Sequence, residues 1–198
     1  ETFDITIEDT TDPIITVPAD ITVEATSPAG AVVTYVTSAT DIADASPTIV
    51  CDTPSGSTFA LGTTTVTCTA TDDAGNTDAD SFDVTVQDTT APTLIGTPAN
   101  FTIEATMASG AVVTYTTPTA TDIADASVIP SCIPASGSTF ALGNTTVTCT
   151  ATDDSANNAT STFTVNVVDT TAPIVTVPAD IFAEATNSTG ATVTFNAT

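Results

Sequence analysis

The sequence predicts an all-β chain built as tandem β-sandwiches, and three observations carry that expectation. Apolar and polar residues alternate with a period of two through almost every segment, and no stretch offers the stripe of an amphipathic helix. Turn signals such as SPAG at Ser27, SGS at Ser55 and Ser136 and DAGN at Asp73 interrupt these segments every 8 to 12 residues. The text also repeats itself. DTTDP at Asp9 returns as DTTAP at Asp88 and again at Asp169, giving copies of 79 and 81 residues followed by the start of a third.

The elements follow in order within each copy. Pro13, Pro92 and Pro173 open the copies, where a missing N–H costs a sheet nothing. The segment GAVVTY at residues 30–35 returns at 110–115 and, as GATVTF, at 190–195. Its alternation turns Val33 and Tyr35, Val113 and Tyr115, and Val193 and Phe195 inward. The clearest strand is TTTVTCTAT at residues 63–71, with Thr64, Val66, Cys68 and Ala70 on one face and Thr63, Thr65, Thr67, Thr69 and Thr71 on the other. Its counterpart points Val147, Cys149 and Ala151 inward and Thr146, Thr148, Thr150 and Thr152 outward. The closing strand places Phe82, Val84 and Val86 on the core face, as it does Phe163, Val165 and Val167. About seven strands per copy result, in the order of an immunoglobulin-like sandwich.

Two whole domains are therefore expected at 9–87 and 88–168. Residues 1–8, with Phe3, Ile5 and Ile7, match the closing strand of a preceding copy, and residues 169–198 match the opening strands of a following one. The two pieces together still lack the cysteine-bearing middle of a copy, so one subunit cannot complete another by donating its tail. The chain reads as a window on a longer array, a design suited to reach rather than to chemistry.

Charge narrows the function further. The chain holds 24 Asp and Glu residues and no Lys, Arg or His, a formal charge of −24. No side-chain salt bridge can form. Nucleic acid and anionic membranes both call for a basic surface, so neither is an expected partner, and no segment is expected to insert into a membrane. Catalytic triads, Schiff-base lysines and phosphate loops need residues that are missing here, so no enzyme is expected. A paired-carboxylate glycosidase would need two acids about 5–10 Å apart in a cleft.

Domains of this size, without Trp and with few aromatics, commonly depend on a disulfide or a metal. Cys51 and Cys68, like Cys132 and Cys149, lie 17 positions apart. Of the three connectivities available to four cysteines, pairing within each copy is the simplest. Neither a His nor a CxxC spacing supports zinc, and a disulfide points to an oxidising, extracellular or cell-surface location.

The ordered set DTTxP, PADITVEAT, GAVVTY, ATD, two cysteines, SGSTFALGTTTVTCTATDDAGN and the closing FxVTV strand resembles the hyalin repeat, or HYR, module over the whole chain. The resemblance implies an extracellular immunoglobulin-like unit, found in tandem in adhesive and cell-surface proteins. One departure falls in the DAGN turn. Where the first copy has Gly75, the second has Ala156, and Asn157 is expected to take over the left-handed conformation.

In such a fold the acidic loops gather at the pole where each copy is entered. Asp9, Asp41, Asp44, Asp72 and Asp73 converge in the first copy, and Asp88, Asp122, Asp125, Asp153 and Asp154 in the second. Acids this close with no cationic neighbour call for a metal, and ligands that are all oxygen select calcium. Glu24 and Glu104, at the opposite pole, are expected to approach Asp88 and Asp169 of the following copy, so that calcium bridges one copy to the next.

Five of the eight asparagines, Asn100, Asn144, Asn158, Asn187 and Asn196, begin glycosylation sequons, and none lies in the first whole copy. The leading expectation is a structural segment of an extracellular filament, surface stalk or adhesin, a calcium-stiffened rod whose partners are neighbouring repeats or identical subunits. The alternative is a module whose threonine faces or loop poles bind carbohydrate, ice or other cells. Exposed threonines are also ordinary strand formers, which accounts for them without a ligand.

Overall fold

A computed structural model describes residues 1–196. Each of the two central repeats folds as a β-sandwich, and no residue among those described is helical. The first repeat contains β1 (Ile14–Thr16), β2 (Ile21–Glu24), β3 (Ala31–Val33), β4 (Ser38–Thr40), β5 (Thr48–Cys51), β6 (Ser57–Phe59), β7 (Gly62–Thr71) and β8 (Thr77–Gln87). The second repeats this order as β9 (Thr93–Ile95), β10 (Phe101–Glu104), β11 (Ala111–Val112), β12 (Thr119–Thr121), β13 (Ser131–Ile133), β14 (Thr139–Phe140), β15 (Gly143–Thr152) and β16 (Asn158–Val168).

One sheet of the first sandwich runs β2-β8-β7-β5, and the facing layer consists of the pairs β1-β4 and β3-β6. The opening segment changes layers. Ile14–Thr16 pairs antiparallel with β4, the chain crosses at Pro18, and Ile21–Glu24 pairs parallel with the closing strand, Glu24 opposite Gln87. Eight strand segments therefore stand where about seven were expected, because the opening stretch is divided between two pairings.

Alternation places the core as the sequence indicated. Val66, Cys68 and Ala70 of β7 and Val84 of β8 are fully buried, with Val86 and Phe82 nearly so, while Thr63, Thr65 and Thr67 face solvent. Burying each valine or phenylalanine side chain contributes about 1.5–3 kcal/mol. Val33 joins this core, and Tyr35 packs edge-on against Phe82 while its hydroxyl donates to the Thr53 carbonyl. Tyr115 repeats the arrangement against Phe163, with the Pro134 carbonyl as acceptor.

Both disulfides form within a repeat, Cys51–Cys68 and Cys132–Cys149. The paired residues are direct cross-strand partners whose Cα atoms are 4.0 Å apart, so each bond fastens the edge strand β5 or β13 to its neighbour. Closing loops of this length stabilises a domain by roughly 3 kcal/mol.

The end segments depart from expectation. Residues 1–8 form no strand, and Phe3, Ile5 and Ile7 are 84%, 77% and 92% exposed. Val193 and Phe195, expected to face inward, are exposed as well, and no strand forms among the described residues after Val168. The reason is pairing. A closing strand is held between β7 and β2 in the first repeat, and neither end segment has such neighbours in this chain. The turn from Asn187 to Gly190 closes nonetheless, because its hydrogen bonds are local.

The altered turn also differs from expectation. Ala156 itself adopts φ 69°, in the place of Gly75 at φ 94°, and Asn157 does not. The loop keeps its shape. The Asp72 amide donates to the Asn76 carbonyl and the Asp153 amide to the Asn157 carbonyl, each at 3.1 Å.

Candidate metal centre at the repeat junction

The linker is built from an aspartate that caps its own turn. The amide of Thr90 donates to Asp88 Oδ1 at 3.1 Å, as that of Thr11 does to Asp9 Oδ1 at 3.1 Å. In TDIADAS the same chemistry recurs. Asp122 Oδ1 accepts from the amides of Ala124 (2.8 Å) and Asp125 (3.2 Å), and Asp41 Oδ1 from those of Ala43 and Asp44, both at 2.8 Å. The turn after the long strand repeats it again, with Asp153 Oδ1 accepting from the Asn157 amide at 2.7 Å. One carboxylate oxygen of each residue is thus spent on holding its own loop.

Carboxylate oxygens from the three loops also gather together. Asp88, Asp122, Asp125 and Asp153 each bring a carboxylate oxygen within 4.8 Å of the rest, and Asp9, Asp41 and Asp72 do the same in the first repeat. Asp88, Asp153 and Asp72 are only 8%, 7% and 6% exposed. The Oδ2 atoms of Asp41, Asp88, Asp122 and Asp153 are buried and have no hydrogen-bond partner. A buried carboxylate oxygen without a donor is costly, and a chain without basic side chains cannot supply an ionic one. An all-oxygen donor set of this kind suits a hard divalent cation such as calcium.

Local electrostatics reflect the crowding. Burial raises the Asp125 carboxyl above its ordinary range, and the neighbouring charges of Asp154 and Asp122 push it the same way. Burial also works to raise Asp72, but the Asn76 side chain and the amides of Asn76, Gly75 and Ala74 outweigh it and hold that group low.

Six expected ligands lie outside these clusters. Asp44 is turned toward the neighbouring loop, its Oδ2 accepting from the Asp73 amide at 3.1 Å, and Asp73 and Asp154 are exposed. Asp169 is exposed too, capping the Thr171 amide at 3.2 Å. Glu24 and Glu104 do reach the following linker, but threonines meet them there. Glu24 accepts from the Thr89 amide at 2.5 Å and from the hydroxyls of Thr89 (3.2 Å) and Thr90 (3.1 Å). Glu104 does the same with the Thr170 amide (2.7 Å) and the hydroxyls of Thr170 (2.8 Å) and Thr171 (3.0 Å). The Thr89 amide holds the Glu24 carboxyl below its usual range, with burial opposing and both hydroxyls assisting. The Thr170 amide acts likewise on Glu104.

The DTT at residues 88–90 is therefore a two-sided clasp. Its aspartate joins the cluster of the repeat it enters, while its threonines bind the repeat it leaves. Three further participants were missed by the sequence reading. Asn76 and Asn157 each donate from the side-chain amide to a linker carbonyl, Asp9 at 3.3 Å and Asp88 at 3.1 Å. Asparagine three or four positions after the acidic pair was the available signal, but it reads equally as a turn residue. Ala124, between Asp122 and Asp125, packs into the core cluster of the first repeat and is 6% exposed, whereas its counterpart Ala43 is exposed. The acidic loop thus seats directly on the preceding repeat.

Of the expected sequon sites, Asn144 and Asn158 lie on strands, Asn187 lies in the turn closed by Gly190, and all three are exposed. The Asn100 side-chain oxygen accepts from the Thr164 amide at 2.7 Å. Asn196 is exposed, and the rest of its sequon, Ala197 and Thr198, lies outside the described residues.

The fold and these junctions define a tandem array of immunoglobulin-like β-sandwich modules. The chain belongs to the HYR domain family, which it matches over residues 8–86 and 87–167. Hyalin of Strongylocentrotus purpuratus is 38% identical over 185 residues, covering 89% of this chain and 15% of that protein. Hyalin of Lytechinus variegatus is 35% identical over 186 residues, covering 89% of this chain and 35% of that protein. The chain thus spans about a third or less of the relatives it matches. Among solved structures, a protocadherin gammaB7 EC3-6 cis-dimer aligns with a TM-score of 0.35 and 19% identity, covering 82% of this chain and 52% of that one.

Proposed function

We propose that this chain is a structural segment of an extracellular filament, surface stalk or adhesin, in which calcium at each entry pole fixes one HYR repeat against the next. The observation that carries the reading is the cluster of Asp88, Asp122, Asp125 and Asp153, with buried carboxylate oxygens that no donor reaches. Asp88 belongs to the linker and Asp122 flanks the alanine seated on the preceding repeat. An ion held there would tie linker, loop and preceding repeat into one body. Residues 87–91 are all that separate the buried Val86 from the buried Pro92, so little slack remains once the ion is bound.

Stability within each repeat comes from the disulfide and the sandwich core, and both suit an oxidising exterior. The expected partners are neighbouring repeats and further copies of the same chain, and chemistry is not the task. Small-angle scattering in calcium and in chelator tests the reading. The particle should be extended and uniform with calcium and more compact or heterogeneous without it. Identical scattering in the two conditions would remove the proposed role of the ion.

A further inference from the structure

Resting on that calcium reading, we infer that the two junction centres are unequal: the one at Asp88 is the tight site and the one at Asp9 is the weak site. The repeats are near copies in sequence, yet their acids are differently occupied. At Asp88 four carboxylates converge, and three of their oxygens, Asp88 Oδ2, Asp122 Oδ2 and Asp153 Oδ2, are buried without a partner. At Asp9 only three carboxylates converge, and one oxygen, Asp41 Oδ2, is in that state.

The difference has identifiable causes. The side-chain amide of Asn76 donates to Asp72 Oδ2 at 2.8 Å as well as to the Asp9 carbonyl, so the first site is already partly satisfied by protein. Asn157 donates to the Asp88 carbonyl and leaves Asp153 Oδ2 without a donor. Asp44 and Asp125 each accept from a backbone amide of the following loop, of Asp73 and of Asp154, but only Asp125 also brings an oxygen into its cluster. The first site starts with one ligand already hydrogen-bonded to protein and gathers one fewer negative charge. Calcium affinity in oxygen sites rises with the number of charged ligands and with their rigidity. As calcium falls, the Asp9 site empties first, while the Asp88 site, whose loop seats on the first repeat through Ala124, stays filled.

Calorimetric titration of calcium into the chelator-stripped chain tests this, with Asp153→Asn and Asp72→Asn alongside and circular dichroism to confirm folding. Two binding steps at least tenfold apart are expected, the tighter lost in Asp153→Asn and the weaker in Asp72→Asn. Should a variant not fold, the unaltered chain gives the same answer by NMR: the Ala124 amide, bonded to Asp122, should reach its calcium-bound shift at least tenfold earlier than the Ala43 amide, bonded to Asp41. Two equal sites, or loss of the tighter step in Asp72→Asn, would overturn the inequality and leave the calcium reading standing. No binding at all would overturn both.

Discussion

Removing calcium should lower the thermal stability of this chain by several degrees, and the size of the effect follows from the junction. At about 4.8 Å and an effective dielectric near 20, two carboxylates repel by about 3.5 kcal/mol. Four ionised acids within that distance make six such pairs, a repulsion that a bound divalent cation would relieve. Extracellular calcium modules bind with Kd of about 10⁻⁴–10⁻³ M. At about 10 mM calcium that range gives roughly 1.4–2.7 kcal/mol per site by mass action. For a domain of this size each kcal/mol moves Tm by about 4–8 °C, so a shift of roughly 6–20 °C is expected between calcium and chelator. Scanning calorimetry reads it, with sodium chloride at matched ionic strength as the control, since salt alone screens a chain of charge −24. Superimposed melting curves in calcium and chelator, once ionic strength is matched, would refute the reasoning.

Three further outcomes follow from particular residues. Ala156→Gly should stabilise the second repeat, because a left-handed alanine costs about 1–2 kcal/mol, offset by about 0.4–1 kcal/mol from a looser unfolded chain; a rise in Tm of a few degrees is expected, and a fall would contradict the strain. Gly110→Ala should cost about 3 kcal/mol or more, since its Cβ would lie 1.8 Å from the Phe140 carbonyl oxygen, whereas Gly137→Ala meets nothing within 4 Å and should cost only about 1–2 kcal/mol in denaturant titrations. The Glu24 clasp should persist below the ordinary glutamate value of 4.5, because its carboxyl is held low in the folded state. Its contribution is present above that value and is lost as pH falls through the lower folded one. The Thr89 amide shift in chelator should accordingly titrate with a midpoint under 4.5, and a midpoint at or above it would count against the clasp.

Much of this architecture is legible in the residues themselves. Strict alternation in β7 and β8 announces which side chains are buried, and the repeated spacing of Cys51 with Cys68 and Cys132 with Cys149 announces the cross-strand bonds. The convergence of linker, TDIADAS and TDDAGN follows once the order of strands is known. What the sequence does not reveal is how each oxygen is used. Asp44 and Asp125 occupy the same place in the text and both meet a backbone amide of the following loop, yet only Asp125 also joins a cluster. Glu24 reads as a metal ligand by charge alone, but two threonines of the linker satisfy it, and threonine is too common here to stand out. The end segments carry the right alternation and still form no strands, because a strand is defined by neighbours distant in sequence.

The most direct measurement is diffraction from crystals of the chain grown in calcium, recorded at long wavelength so that calcium scatters anomalously. The account predicts an anomalous peak enclosed by Asp88, Asp122, Asp125 and Asp153, with oxygens at about 2.3–2.6 Å. A cluster with no such peak, its carboxylates parted or bonded to one another through shared protons, would contradict it.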